Sequence, residues 1–107
     1  MAVLLLDGVE ATGVGRVHAC PQTNNHAMEV TFTNSGGSVT ALVVDLVGGL
    51  DNTVPHSLGT KTFSGGELTA KKAILHVVDK LVDFVSANIT TLTETGTTAV
   101  SVRWQGK

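Results

Sequence analysis

Glu67-Leu68-Thr69-Ala70-Lys71-Lys72-Ala73-Ile74-Leu75-His76-Val77-Val78-Asp79-Lys80-Leu81-Val82-Asp83-Phe84-Val85-Ser86-Ala87-Asn88-Ile89 is the stretch on which the fold class turns. Leu68, Leu75, Val78, Val82, Val85 and Ile89 recur at helical intervals, and Ser64 and Glu67 have the spacing of a capping box. Glu67 and Lys71 would add a favourable i,i+4 pair. Read so, the domain is α+β with one helix near 67–89. The same residues also read as two strands, Ala73 to Val78 and Val82 to Leu92, joined by a turn at Asp79-Lys80. Valines here and threonines at 90, 91 and 93 suit a pleated surface better than a helix. Val85, Ala87 and Ile89 alternate with Ser86, Asn88 and Thr90, whereas Val82 and Phe84 hold the opposite phase, which calls for a bulge near Phe84-Val85. Pattern alone leaves the two readings nearly even.

On the N-terminal side lies the long apolar run Val39 to Gly49. Val39, Ala41, Val43 and Val47 occupy one phase and Leu42, Val44 and Leu46 the other, which predicts a central strand covered on both faces. Gly48-Gly49 suggests a bulge or close backbone approach at its end, before the turn-forming Asp51-Asn52 and Pro55. Before it, Met28, Val30 and Phe32 alternate cleanly with Ala27, Glu29, Thr31 and Thr33. Asn34-Ser35-Gly36-Gly37 is then expected to be a hairpin joining the two strands.

Ala2 to Leu6 reads as a first strand closed by Asp7-Gly8, and Arg16 to Cys20 as a short second one before a loop at Pro21 to Asn25. Ser57 to Phe63 reads as a further strand with Leu58 and Phe63 in the core, and Val100, Val102 and Trp104 mark the last one.

The stretches Thr31-Phe32-Thr33, Asp45-Leu46-Val47-Gly48-Gly49-Leu50-Asp51, Ser57-Leu58-Gly59-Thr60, Phe63-Ser64-Gly65-Gly66-Glu67-Leu68, His76-Val77-Val78-Asp79-Lys80 and Ala87-Asn88-Ile89-Thr90-Thr91-Leu92-Thr93 resemble a group of small phage-encoded β-sandwich virion proteins. The resemblance spans roughly residues 28 to 104 and rests on turn and strand signatures, not on catalytic ones. It implies a jelly-roll-like or discoidin-like sandwich; the chain is read as a single antiparallel β-sandwich domain of about eight strands over residues 1–107, with residues 1–27 as an extended arm bearing short strands. It also favours the two-strand reading. This chain departs from the group in having Val54-Pro55-His56 where an aromatic follows the turn, and Asp83-Phe84-Val85-Ser86 in place of Arg-Tyr-Val-Arg.

Composition narrows the function classes. Hydrophobic residues make up 42% and charged ones only 15%, well under the roughly 25% usual in globular domains. So few charges point to a surface partly covered by partners. A net charge of −2, with basic residues scattered apart from Lys71-Lys72, argues against nucleic acid. Neither a signal peptide nor a membrane span is read at Ala2 to Leu6. Cys20 is alone, so no internal disulfide forms.

No constellation for chemistry emerges. His18, His26, His56 and His76 share no metal-ligand spacing, and His18 with Cys20 is an isolated H-x-C. Asp45, Asp51, Asp79 and Asp83 sit at turns or strand ends, where carboxylates satisfy backbone N–H groups. Asn88-Ile89-Thr90 is a glycosylation sequon by chance. With no Tyr and few aromatics, sugar stacking loses weight. The expectation is therefore no enzyme, no cofactor and no metal.

The leading reading is a structural virion protein of a tailed phage: a capsid decoration (cement) protein on the capsid surface. It would bind the major capsid protein and itself as a homo-oligomer. The alternatives are a carbohydrate or host-receptor module on a fibre, or a tail or baseplate part. Contacts are expected at the N-terminal segment Val3, Leu4, Leu5 and Leu6, the loop Asn24, Asn25 and His26, and the loop at Asn52, Val54 and His56.

Overall fold

The computed structural model describes residues 2–107. Nine strands and one short helix follow in the order β1 (Val3–Val9), β2 (Gly13–Val14), β3 (His18–Thr23), β4 (His26–Ser35), β5 (Val39–Gly49), β6 (His56–Thr62), α1 (Gly65–Ala70), β7 (Lys72–Val77), β8 (Val82–Glu94) and β9 (Thr97–Gly106). One sheet has the order β1-β9-β4-β7 and the other β2-β8-β5-β6, with β3 continuing β2 along β8. Every pairing is antiparallel. Taking β2 and β3 as one interrupted strand gives the eight-strand, two-sheet order of a jelly roll.

The core fills the space between the sheets. From the first come Met28, Val30 and Phe32 of β4, Val100, Val102 and Trp104 of β9, and Leu5 and Leu6 of β1; from the second come Leu42, Val44 and Leu46 of β5 and Val85, Ala87 and Ile89 of β8. The alternation expected for Met28 to Thr33 is realised. β5 is interior to its sheet, but Val39, Ala41 and Val43 are only half-buried, so its second face is not covered as expected.

The helical reading of 67–89 is replaced by the two-strand one. The capping box does form, with the Ser64 hydroxyl accepting from Glu67 N–H, yet it caps a helix of only six residues. Lys71 ends that helix in the left-handed region at φ 63°, so it cannot pair with Glu67 as a helical neighbour. Glu67 instead meets Lys61 at 2.7 Å.

Several local expectations are corrected. Asn34 to Gly37 is no hairpin: β4 pairs with β7 and β9, whereas β5 pairs with β6 and β8, so the turn is a corner between sheets. The Thr95-Gly96 turn between β8 and β9 is a second corner, and the two lock together. Asn34 Nδ2 donates to Thr95 O at 3.0 Å and to Thr98 Oγ1 at 2.8 Å, while Ser38 N donates to Thr95 Oγ1 at 3.0 Å. A Cβ on Gly37 would lie 2.2 Å from the Thr95 carbonyl oxygen, which explains the glycine.

β1 runs through Asp7-Gly8 to Val9, and β3 continues through Pro21 to Thr23 where a loop was expected. No irregularity breaks the β5–β8 pairing at Phe84-Val85. The shifts there fall between Val39 and Ala41 and between Val43 and Val44, and the irregularity near Phe84 lies in the β3–β8 pairing, between Ala19 and Thr23. Residues 2–27 do not stand off as a separate arm, since β1 pairs with β9, and β2 and β3 with β8.

Candidate docking surface at one end of the sandwich

Antiparallel pairing sorts the connections into two groups. The corners and α1 lie at one end; the β3–β4, β5–β6 and β7–β8 loops lie at the other, with the start of β1 and the end of β9. Large apolar side chains gather in the exposed loops of this second end: Leu50 is 71% exposed, Val78 64% and Leu81 56%. Leu50 and Leu81 flank an open cleft of about 550 Å³ whose walls include Pro55, His56, Leu58 and Lys80. A smaller depression of about 260 Å³ lies on the other side of the β7–β8 loop, between Asn25, His76, Val78 and Lys107.

A buried polar network holds this end in shape. The Trp104 indole Nε1–H donates to His26 Nδ1 at 3.0 Å, and His26 Nε2 lies 2.9 Å from the Lys80 carbonyl. An indole nitrogen only donates, so the His26 ring is the tautomer with its proton on Nε2, which donates to Lys80 O. His18 and His26 both lean on Trp104, with ring centroids 5.5 and 5.7 Å away. Backbone bonds extend the tie: Lys80 N–H donates to Asn24 O at 3.0 Å, and Lys107 N–H to Asn25 O at 3.0 Å.

The β5–β6 loop is braced separately. Asp51 accepts from the Thr53 hydroxyl and from Thr53 N–H at 3.0 Å. These bonds, the hydroxyl's first, hold its carboxyl below the ordinary carboxylate value and keep it anionic. Val54 adopts φ 44°, an outlier for a β-branched residue, with its side chain buried. Asp79 in the facing loop is also left-handed at φ 59°.

The three segments singled out in the sequence reach this end with different fates. Asn24, Asn25, Asn52 and His56 are exposed there. His26 and Val54 are buried and support the loops from beneath. Val3 and Leu4 are half-buried on the outermost strand of their sheet, but Leu5 and Leu6 lie in the core, where no partner reaches them. Sequence reasoning missed Leu50, Val78 and Leu81. Their signal was an apolar residue directly against a turn, Leu50 before Asp51-Asn52 and Val78 and Leu81 bracketing Asp79-Lys80.

Chemistry-bearing residues are otherwise occupied or dispersed. Burial pushes the Cys20 thiol up, which disfavours a thiolate. Asp83 accepts from Gln22 N–H at 2.9 Å, and Asp45 from the Thr60 hydroxyl at 2.5 Å. Among the described residues no three His, Cys, Asp or Glu side chains cluster to hold a metal ion, and no helix is long and apolar enough to cross a membrane. Trp104, Phe32 and Phe63 are buried and Phe84 half-buried.

No family model matches the sequence, and no curated protein matches it. Solved structures do share the fold. The SPBc2 prophage-derived protein YomS aligns over 98% of this chain and 92% of its own, at 9% identity and a TM-score of 0.54. The C-terminal CBM6 of LamC, a marine laminarinase from Zobellia galactanivorans, aligns over 92% of this chain and 75% of its own, at 12% identity and a TM-score of 0.50.

Proposed function

We propose that the protein is a structural component of a tailed-phage particle, a capsid decoration protein that binds the major capsid protein through the loop end of its sandwich. The observation that carries this reading is the gathering of exposed Leu50, Val78 and Leu81 at one end of the sandwich, Leu50 and Leu81 around an open cleft and Val78 on the adjoining depression, in a chain with few charges. Each such side chain contributes roughly 1.5–3 kcal/mol when a partner buries it fully, and that gain must exceed the cost of association. The loops are already braced by His26, Trp104 and Asp51, so little ordering cost remains. The likeness to a prophage-derived protein over nearly the whole chain supports the fold, and the subunit-binding role is our reading of the surface.

The same reading assigns no enzymatic activity. It makes the sandwich a clamp between capsid subunits, with the virion as its address. A sugar-binding role would need an exposed aromatic platform, and the only tryptophan is 4% exposed.

The test is quantitative mass spectrometry of purified particles. Copies near those of the major capsid protein support decoration; a handful of copies move the protein to the tail or baseplate. Absence from particles, or capture of host polysaccharide on a glycan array, refutes the reading. Leu50→Asp and Leu81→Asp should strip the protein from particles without altering its fold.

A further inference from the structure

The two sheets have four outer edges, and three are visibly obstructed. The β1 edge has two register shifts, and Arg16 N–H donates to Leu5 O at 2.9 Å across it. The β2–β3 edge is irregular between Ala19 and Thr23, and β6 is shifted opposite Leu46 and Val47 and screened by the Lys61–Glu67 ion pair. Bulges and charges are the usual protection of exposed strand edges. β7 differs: its pairing with β4 is regular from Lys72 to Val77, and although β6 and α1 pack beside it, no strand hydrogen-bonds to its outer side.

The orientation of the free backbone groups follows from the register. Phe32 N–H donates to Lys71 O at 3.1 Å, which makes Phe32 and Lys71 a hydrogen-bonded pair. In antiparallel pairing such pairs alternate, so Ala73, Leu75 and Val77 are bonded to β4 and Lys72, Ile74 and His76 turn their N–H and C=O outward. Between them sits Ile74, 49% exposed on the outer face. An isoleucine at the centre of a regular, unpaired edge is what strand addition uses and what a solitary edge avoids.

We propose that β7 pairs antiparallel with β7 of a second copy about a two-fold axis at Ile74, joining the two four-stranded sheets into one. Centred there, Ile74 faces the partner's Ile74 and Lys72 faces the partner's His76, with about six inter-copy backbone bonds. Charges fit this register. Glu29 is flanked by Ile74 on one side and Arg103 on the other, so each glutamate keeps its own compensating arginine. Each Lys72 lies diagonally across from the partner's Glu29, about 12 Å between Cα atoms on ordinary sheet spacing, within reach of two extended side chains. No like charges oppose each other. Because the β1 edge is obstructed, addition stops at two copies instead of running on as a fibre. This deepens the subunit-binding reading and rests on it only for purpose: a two-fold pair would present two loop ends to the shell.

Sedimentation of the isolated full chain from about 5 to 500 μM, with amide hydrogen exchange at Lys72, Ile74 and His76, tests the proposal without particles. A reversible dimer is expected, with those three amides protected in proportion to its population. Ile74→Lys should weaken association roughly a hundredfold or more by removing the apolar contact and setting two ammonium groups face to face. Leu81→Asp, at the loop end, should leave association unchanged. A monomer at every concentration overturns the proposal, as does a dimer whose three amides exchange freely. Should Ile74→Lys fail to fold, wild-type amide protection decides alone. Absence of the wild-type protein from particles, with its dimer intact, would count against the capsid reading, not against this one.

Discussion

Removing His26 should cost this domain far more than removing any exposed residue, and the structure gives the size. His26→Ala deletes two hydrogen bonds, a buried one from the Trp104 indole and a partly buried one to the Lys80 carbonyl. Each contributes about 1 kcal/mol net, and a stranded buried indole N–H adds about 1–3 kcal/mol, so the expected loss is roughly 3–5 kcal/mol. For a domain of this size that lowers Tm by about 12–25 °C. Trp104→Phe should cost about 1–3 kcal/mol, because the ring stays packed while His26 loses its donor. The decisive quantity is the coupling in a cycle of His26→Gln, Trp104→Phe and the double variant. A direct bond predicts about 1–2 kcal/mol. Urea unfolding must be followed by far-ultraviolet dichroism, since Trp104 is the sole tryptophan and its fluorescence disappears with the substitution. Additivity within about 0.4 kcal/mol would refute the assignment of the network.

Other outcomes follow from the same geometry. Gly37→Ala should destabilise by about 2 kcal/mol or more, because its Cβ would meet the Thr95 backbone, whereas Gly65→Ala and Gly66→Ala have open space and should each gain about 0.5–1 kcal/mol by chemical denaturation. Glu67 is held below the ordinary carboxylate value, first by Lys61 and then by Ser64 N–H, so its contribution is present above 4.5 and is lost as pH falls below it. Glu67→Gln should therefore lower the urea midpoint at pH 7, and the difference should vanish in acid. The Cys20 thiol should resist a disulfide reagent in the native state and react at once on unfolding, as burial and its raised pKa require.

Alternation made β4 legible, because Met28, Val30 and Phe32 repeat at the period of a strand and each is at most 5% exposed. Residues 72–94 form two strands because valine and threonine outweigh a helical spacing that Ser64 and Glu67 do begin. What escaped was sheet membership. A hairpin and an inter-sheet corner use the same Asn-Ser-Gly-Gly chemistry, and only Thr95, some sixty residues on, decides between them. Apolar residues in both phases of β5 likewise overstated its cover, since β-branched side chains also suit a half-exposed face. The candidate surface was half legible: its loops were named, but His26 and Val54 within them are buried, and polarity misled at Leu50, Val78 and Leu81, which are exposed.

The two ends of the sandwich differ in what they leave exposed, and that contrast bears on function. At the corner end, glycines without room for a Cβ bring backbones into contact, and side-chain amides and hydroxyls satisfy them. At the loop end, buried side chains do the bracing and apolar ones are left outside. Val54 is held at a left-handed φ that costs on the order of 1–2 kcal/mol, and Asp51 and Thr53 stabilise the turn that imposes it. A loop needed only to connect β5 to β6 would gain by relaxing that residue and burying Leu50. Strain kept beneath an exposed leucine is intelligible if the loop's shape matters to whatever meets it. On the proposed reading, the rigid jelly roll is a mount, and its braced, apolar end is the part that fits against another surface.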